Sequence, residues 1–275
     1  MLASTSDIQE FSEFETSSWL KLTEHYDGFA GRITHQAADA ALRAVKIRPG
    51  VPMLDVATGP GYISALASRL GADPIGVDFS ADMVEVARKL SPGLKFEVGN
   101  AENLGFPDAT FNAVVCSFGM LHFPRPGRAM AEALRVLRPD GRYAFTVWVP
   151  PSKDNLFGII GAVIQQYGGP STPVPPGPNM FMLSDPWVCQ ALMDATGFAD
   201  GRIEEVPCFF APTSRGEIFD FMRKCTVRPA YLYDRQSPDK QREIEQALTE
   251  AGEKAMAAGG GKIACPALLV SGTKP

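Results

Sequence analysis

The sequence predicts an α/β fold, a doubly wound and largely parallel sheet, on three observations. Short apolar runs alternate with helix-length segments between Pro52 and Trp148. Two of those runs end in an acid, at Asp55 and Asp78. A glycine-bearing turn, Thr58-Gly59-Pro60-Gly61, separates the first acid from the helix-like segment that follows. Strands covered on both faces read as continuous apolar runs, and the helices between them supply the crossovers that parallel pairing needs.

Taken in order, residues 1–17 read as a loose or partly ordered arm, and Trp19 to Ala30 mixes aromatics with charge. Thr34 to Val45 places Ala37, Ala41, Leu42 and Val45 on one helical face, and Pro49-Gly50 stops it. Strands are expected at Pro52–Ala57, Pro74–Asp78, Lys95–Val98, Ala113–Phe118 and Arg142–Trp148. Helices are expected at Tyr62–Leu70, Ala81–Leu90 and Pro126–Leu137, the second capped by Ser80. Arg138-Pro139-Asp140-Gly141 reads as a turn. Beyond Val149 the rhythm changes. Pro150 and Pro151 end the strand, Leu156–Tyr167 is helical, and Gly168 to Pro178 is a Pro/Gly-rich loop. Asp185–Thr196 is a helix stopped by Gly197, Arg202–Phe210 a strand, and residues 214–258 hold two helical stretches, the second at Asp239–Ala258. Ala267–Gly272 is the last strand. The organisation expected is an N-terminal helical arm or lid over residues 1–48 and a core over 49–275, with cap insertions near 150–190 and 211–262.

Composition narrows the function. The 275 residues are 45% hydrophobic with a formal charge of -5, acids and bases being mixed along the chain. No basic stripe suggests a nucleic-acid groove; a small or weakly charged substrate fits better. Five widely spaced cysteines without a CxxC read as free thiols in a reducing compartment, which suits a cytoplasmic protein. His25, His35 and His122 never stand close to a cysteine in sequence, so no metal site is expected. The N-terminus lacks a secretory signal pattern, and no eighteen-residue apolar run is present to span a membrane. The sequence leaves a homo-oligomer open.

The acids define the candidate site. Asp55 closes the first strand, where open parallel sheets bind ligands. Gly59 and Gly61 permit a tight turn, and the helix starting at Tyr62 aims its free N–H groups back at the site. Asp78 ends the second strand, and a carboxylate there can accept both hydroxyls of a ribose. The turn reads Ala57-Thr58-Gly59-Pro60-Gly61-Tyr62, a poor match to GxGxxG and without the GK[ST] ending of a phosphate loop. These features point to an adenosine-type cofactor.

Four blocks then carry a resemblance: LDVATGPG, GVDFSADMVEVAR, GNAENLGFPDATFNAVVCSFGMLHF and ALRVLRPDGRYAFTVW. Together they resemble the class I S-adenosylmethionine-dependent methyltransferases, in the small-molecule group that includes the ubiquinone/menaquinone C-methyltransferases. The resemblance covers roughly residues 50–150. It implies a Rossmann-like seven-stranded sheet with the last strand antiparallel, a helical cap, and S-adenosyl-L-methionine as cofactor, with S-adenosyl-L-homocysteine as product. On that likeness Asp55 and the backbone around Ala57, Gly59 and Gly61 face the methionine part, and Asp78 holds the ribose. Phe79 and Met83 pack on the adenine, and Asn100-Ala101-Glu102 meets its edge. Ser117 lies near the donor methyl. Ala57 stands where many relatives have glycine, and Asn100 where many have an acid.

Methyl transfer needs an acceptor aligned with the methyl–sulfur bond and water kept out. A base helps when the acceptor is a phenol or an acidic carbon. His122, after the fourth strand, is the candidate base, with a structural imidazole as the alternative. Tyr26 is a second candidate for catalysis. His25, Trp148, Asn155, Met180, Phe181, Phe209, Phe219, Met222 and Tyr231 are candidate acceptor contacts, and their aromatic and methionine content suits a hydrophobic cavity. The expected reaction is O- or C-methylation of a small hydrophobic or aromatic molecule in secondary metabolism. Two rivals stand beside it: a relative that uses bound cofactor to steer a rearrangement or cyclisation, and an NAD(P)-dependent oxidoreductase.

Overall fold

The strands of the computed structural model run, in chain order, β1 Pro52–Val56, β2 Asp73–Asp78, β3 Lys95–Val98, β4 Phe111–Ser117, β5 Leu137–Trp148, β6 Ala199–Val206, β7 Phe209–Phe210, β8 Ile263–Ala264 and β9 Ala267–Thr273. The structure describes residues 4–22, 25–26, 28–167 and 177–275. Most of the predicted loop at Gly168–Pro178 lies outside the described residues. Seven strands form one sheet in the order β3-β2-β1-β4-β5-β9-β6. The pairs from β3 to β5 are parallel, and β9 runs antiparallel to both β5 and β6. The predicted sheet, with its last strand reversed, is thus the observed one. Chain order reverses direction across the sheet beside β1, and that places the ends of β1, β2 and β4 around one crevice.

The chain divides into two compact units. The sheet unit takes residues 37–149, 178–206 and 267–275. Its helices are α3 Ala38–Ala44, α4 Tyr62–Arg69, α5 Ala81–Leu90, α6 Pro126–Val136 and α8 Pro186–Thr196. Its core gathers Leu54, Val56, Val114, Tyr143, Phe145, Met130 and Val270, all buried. Burying each large apolar side chain contributes about 1.5–3 kcal/mol. Ser80 caps α5 as predicted, its Oγ accepting from the Met83 N–H at 3.3 Å. Asp185 caps α8 by accepting from the Trp187 N–H, and Gly197 ends that helix with φ 100°.

The helical unit takes residues 1–36, 150–177 and 207–266. It holds α1 Thr5–Leu22, α2 Ala30–Thr34, α7 Leu156–Tyr167, α9 Glu217–Cys225, α10 Arg228–Asp234 and α11 Pro238–Ala258, with the β7–β8 pair. Phe210, Phe221, Ile218, Ile244 and Leu248 form its buried interior. A Cβ on Gly252 of α11 would lie 2.7 Å from Ile218 of α9, so glycine lets these two helices close up. Glu217 is buried at the start of α9, where it accepts from Thr213 and Ser214 and pairs with Arg32 of α2.

Several expectations need correction. The N-terminal arm, expected to be helical yet loose or partly ordered at its start, is helical throughout Thr5–Leu22, where Ser4 and Asp7 cap it reciprocally: Asp7 N donates to Ser4 Oγ at 3.2 Å and Ser4 N to Asp7 Oδ2 at 2.9 Å. Thr34–Val45 is not one helix. A 3-10 turn over His35–Ala37 breaks it, where the Gln36 amide donates to the Phe209 carbonyl and accepts from its N–H, mimicking a strand neighbour to β7. Arg138–Gly141 lies inside β5 at a register shift: Phe111 pairs with Leu137 and Ala113 with Arg142, so four residues stand opposite Asn112. The strand expected at Arg202–Phe210 is divided into β6 and β7 around Pro207, which has no N–H to pair. Residues 214–258 contain three helices rather than two, since Pro229 opens a separate α10.

Candidate functional site

The crevice begins at the end of β1. Asp55 is almost wholly buried there. Its Oδ2 accepts from Thr58 Oγ1 at 2.6 Å, Ser64 Oγ at 2.8 Å and Ser64 N at 3.0 Å. Its Oδ1 is buried and has no hydrogen-bond partner. Burial pushes the carboxyl up to about 6, against the opposing pull of the Thr58 and Ser64 hydrogen bonds. A buried acceptor left unpaired is costly, so it marks a place where a donor belongs.

The turn after Asp55 is conformationally demanding. Ala57, Gly59 and Gly61 have φ of 54°, 52° and 85°. A Cβ on Gly61 would sit 2.7 Å from the Phe96 ring, whereas one on Gly59 would meet nothing within 4 Å. Gly61 is therefore held by packing, and Gly59 faces open space. Ala57 carries the cost of a left-handed backbone, and glycine at 119 makes room for its methyl, since a Cβ there would lie only 2.6 Å from the Ala57 Cβ.

Asp78, at the end of β2, is buried beside this turn. Its Oδ2 accepts from Gly59 N and its Oδ1 from Ser80 N, both at 2.9 Å. One lone-pair direction per oxygen stays available for a vicinal diol. Burial raises its pKa, while the backbone hydrogen bonds and the His122 side chain favour its charge. His122 ends a 3-10 turn, Met120–His122, that follows β4, and its electrostatic reach to Asp78 ties it to the same crevice.

The remaining residues singled out for the cofactor divide into groups. Phe79 is exposed and Met83 buried on α5. Asn100 Oδ1 accepts from Glu102 N at 2.8 Å, closing the loop on itself around Ala101. The Glu102 carboxylate is turned away to Arg125, accepting from its N and Nε at 2.7 Å, while Arg128 Nε donates to the Glu102 carbonyl. Ser117 Oγ lies 3.3 Å from Thr146 Oγ1. Thr146 also accepts from Phe118 N at 3.0 Å, holding Phe118 at φ 55° with its ring stacked 4.0 Å from Trp148. Thr58, Ser64, Arg125, Arg128 and Thr146 escaped the sequence reading. Only Thr58 carried a signal, three residues after a strand-end acid.

The acceptor candidates are more scattered. Trp148 is buried, one face covered by Phe118. Asn155 is a cap rather than an open contact, because its amide is committed to Ser152 N, Gly158 N and the Pro150 carbonyl. Met222 is wholly buried among the helices and so presents no surface to a ligand. Met180 and Phe181 are half-buried in the sheet unit, and Phe209 is exposed on β7. Tyr26 places its hydroxyl 3.4 Å from Thr34 Oγ1 in the helical unit. His25, Phe219 and Tyr231 come together, lining one cavity of that unit. Among the described residues no cluster of three metal-ligating side chains occurs, and no helix is long and apolar enough to cross a membrane.

Comparison with known proteins agrees with this geometry. The methyltransferase domain family matches residues 54–145. A demethylmenaquinone methyltransferase of Renibacterium salmoninarum is 36% identical over 124 residues, 45% of this chain and 51% of that protein. One from Deinococcus radiodurans is 34% identical over 164 residues, 53% of this chain and 67% of that protein. The chain spans about half the length of the first of these curated relatives. The crystal structure of the YcgJ protein from Bacillus subtilis shares the fold, with a TM-score of 0.59 and 23% identity over 87% of this chain and 98% of that one. The β1 and β2 acids, the left-handed turn between β1 and α4, the reversed β9 and these relatives converge, and the chain belongs to the class I S-adenosylmethionine-dependent methyltransferases of the demethylmenaquinone methyltransferase-like group.

Proposed function

We propose that the protein transfers a methyl group from S-adenosylmethionine to a small hydrophobic or aromatic acceptor, at oxygen or carbon. The observation that carries this reading is the orphaned Oδ1 of buried Asp55 beside the open face of Gly59. The residues fit the cofactor. Asp55 supplies an unpaired acceptor for an ammonium group, Asp78 two oxygens for a ribose diol, and the Asn100-Ala101-Glu102 loop a rim for the adenine. When bound, the cofactor supplies an electrophilic methyl on a positively charged sulfur.

The chain's own residues do the rest by positioning. Thr58 and Ser64 fix the Asp55 carboxylate, and Gly59 N–H fixes Asp78, so both acids are oriented before the ligand arrives. Arg125 and Arg128 hold the adenine-side loop. The Phe118–Trp148 stack closes the end of β4 and β5 with apolar surface that keeps water away. His122 takes up the acceptor's proton where the acceptor is a phenol or acidic carbon.

The test uses the full chain, methyl-labelled cofactor and a panel of phenols, hydroxyquinones and aromatic acids. Label recovered in a product supports the reading. Tight cofactor binding without transfer to any acceptor favours the non-methylating alternative, and no affinity for either cofactor form removes the proposal. In His122→Ala, a fall in kcat with unchanged cofactor affinity supports the base role; unchanged kcat across the pH range removes it.

A further inference from the structure

The helical unit contains a cavity of about 530 Å³ that the cofactor site does not use. It lies wholly within that unit. One wall is α1, through Phe14 and Leu22; the opposite wall is α9, α10 and the link between them, through Phe219, Val227 and Tyr231. Its size is in the range that takes a small organic ligand. Phe14 meets Tyr231 edge-on at 5.1 Å, and Phe219 meets Tyr233 in the same manner at 5.3 Å. Aromatic edges and faces therefore form much of the apolar lining.

The charges at its rim are unevenly matched. Lys224 pairs with Asp220 at 2.8 Å and Arg223 with Asp234 at 3.1 Å. Arg235 also lines the cavity, and among the described residues no carboxylate pairs with it. Its guanidinium carbon lies 3.3 Å from the centroid of the Tyr231 ring, and its Nη1 donates to the Tyr231 carbonyl. Stacking fixes the plane of the guanidinium, while most of its five donors remain for a ligand. A planar guanidinium held this way suits a carboxylate, which accepts two parallel hydrogen bonds from it.

We infer that this cavity binds an aromatic carboxylate, its ring among Phe14, Phe219 and Tyr231 and its carboxylate on Arg235. The ligand is either the methyl acceptor itself or an effector of the same chemistry. Binding as such stands apart from the proposed reaction, and only the acceptor alternative rests on it.

The experiment titrates the full chain, without cofactor, with 1-naphthoate and separately with the neutral 1-naphthamide, by calorimetry. Saturable binding of naphthoate, at least tenfold tighter than the amide, is expected. Arg235→Ala, an exposed position at the end of α10, is expected to weaken naphthoate tenfold or more and to leave the amide unchanged. Phe14→Ala is expected to weaken both. Circular dichroism and the unaltered amide affinity of Arg235→Ala establish that the variant is folded. No saturable binding, or equal naphthoate affinity in the Arg235→Ala chain, overturns the inference. Loss of S-adenosylhomocysteine binding would instead strike the proposed reaction and leave the cavity untouched. Aromatic carboxylates that bind and become methylated identify the acceptor; those that bind unmodified and change turnover identify an effector.

Discussion

Replacing Asp55 by asparagine is expected to stabilise the sheet unit while abolishing its grip on the cofactor. Asp55 ionises at about 6 in the folded chain, against an ordinary 3.8. Between those two values the folded chain holds the proton more tightly than the unfolded chain does. Stability therefore falls as pH rises from about 4 to 6 and stays lower above it, by a total of about 3 kcal/mol. Asparagine keeps an oxygen for Thr58 and Ser64 but carries no charge. Its NH₂ would occupy the place of the unpartnered Oδ1, which returns about 1 kcal/mol of that gain. The net expectation is about 2 kcal/mol of added stability at pH 7, a rise in melting temperature of about 4–8 °C. The same variant loses the anion that an ammonium group would meet, and its affinity for S-adenosylhomocysteine is expected to fall at least tenfold. In the unsubstituted chain that affinity is expected to strengthen as pH rises from 5 to 7. Thermal unfolding with and without the ligand, at both pH values, reads every one of these. A variant less stable than the parent at pH 7, or one that binds as well, refutes the assignment of the orphaned oxygen.

Other expectations follow from the same geometry. Gly59→Ala costs about 1–2 kcal/mol for its left-handed backbone but places its methyl in open space, so cofactor affinity falls more than stability. Gly61→Ala meets the Phe96 ring as well and costs about 3 kcal/mol, read by urea unfolding. Arg125→Ala removes the guanidinium from the buried Glu102 carboxylate but leaves the main-chain donor; it costs about 1–2 kcal/mol and raises the cofactor KM with little change in kcat. Ser4→Ala deletes the α1 cap for about 1 kcal/mol, seen as faster hydrogen exchange over the first turn of that helix.

Much of the sheet was legible because its strands are buried on both faces and its helices carry clean start and stop residues. Lys95–Val98, Ala81–Leu90 and Leu156–Tyr167 were located to the residue. The misses have physical causes. Gln36 breaks a good helical period through a partner at Phe209, a contact that no local pattern reveals. The turn at Arg138–Gly141 has turn chemistry, yet β4 pairs with both its flanks and Lys274 bonds its backbone at Asp140 and Gly141, which keeps it in the strand. At the site, the two acids and the glycines were readable from spacing. Thr146, Arg125 and Arg128 were not, because each acts on a residue more than twenty positions away. The acceptor side was least legible: aromatic and methionine residues buried for packing, such as Met222, look the same in sequence as those lining a cavity, such as Phe219.

Strand β9 lies between β5 and β6, and among the described residues β6 has no other neighbour in the sheet. During synthesis β6, complete at Val206, can pack on α8 but has no strand to pair with until residues 267–273 leave the ribosome. Until then the hydrogen-bonding edge of β5 is bare, the condition in which strands recruit the wrong chain. Removal of β9 would thus be no trimming of a tail. It would strand β6, expose the Leu137–Trp148 edge, and turn a folding chain into a substrate for chaperones.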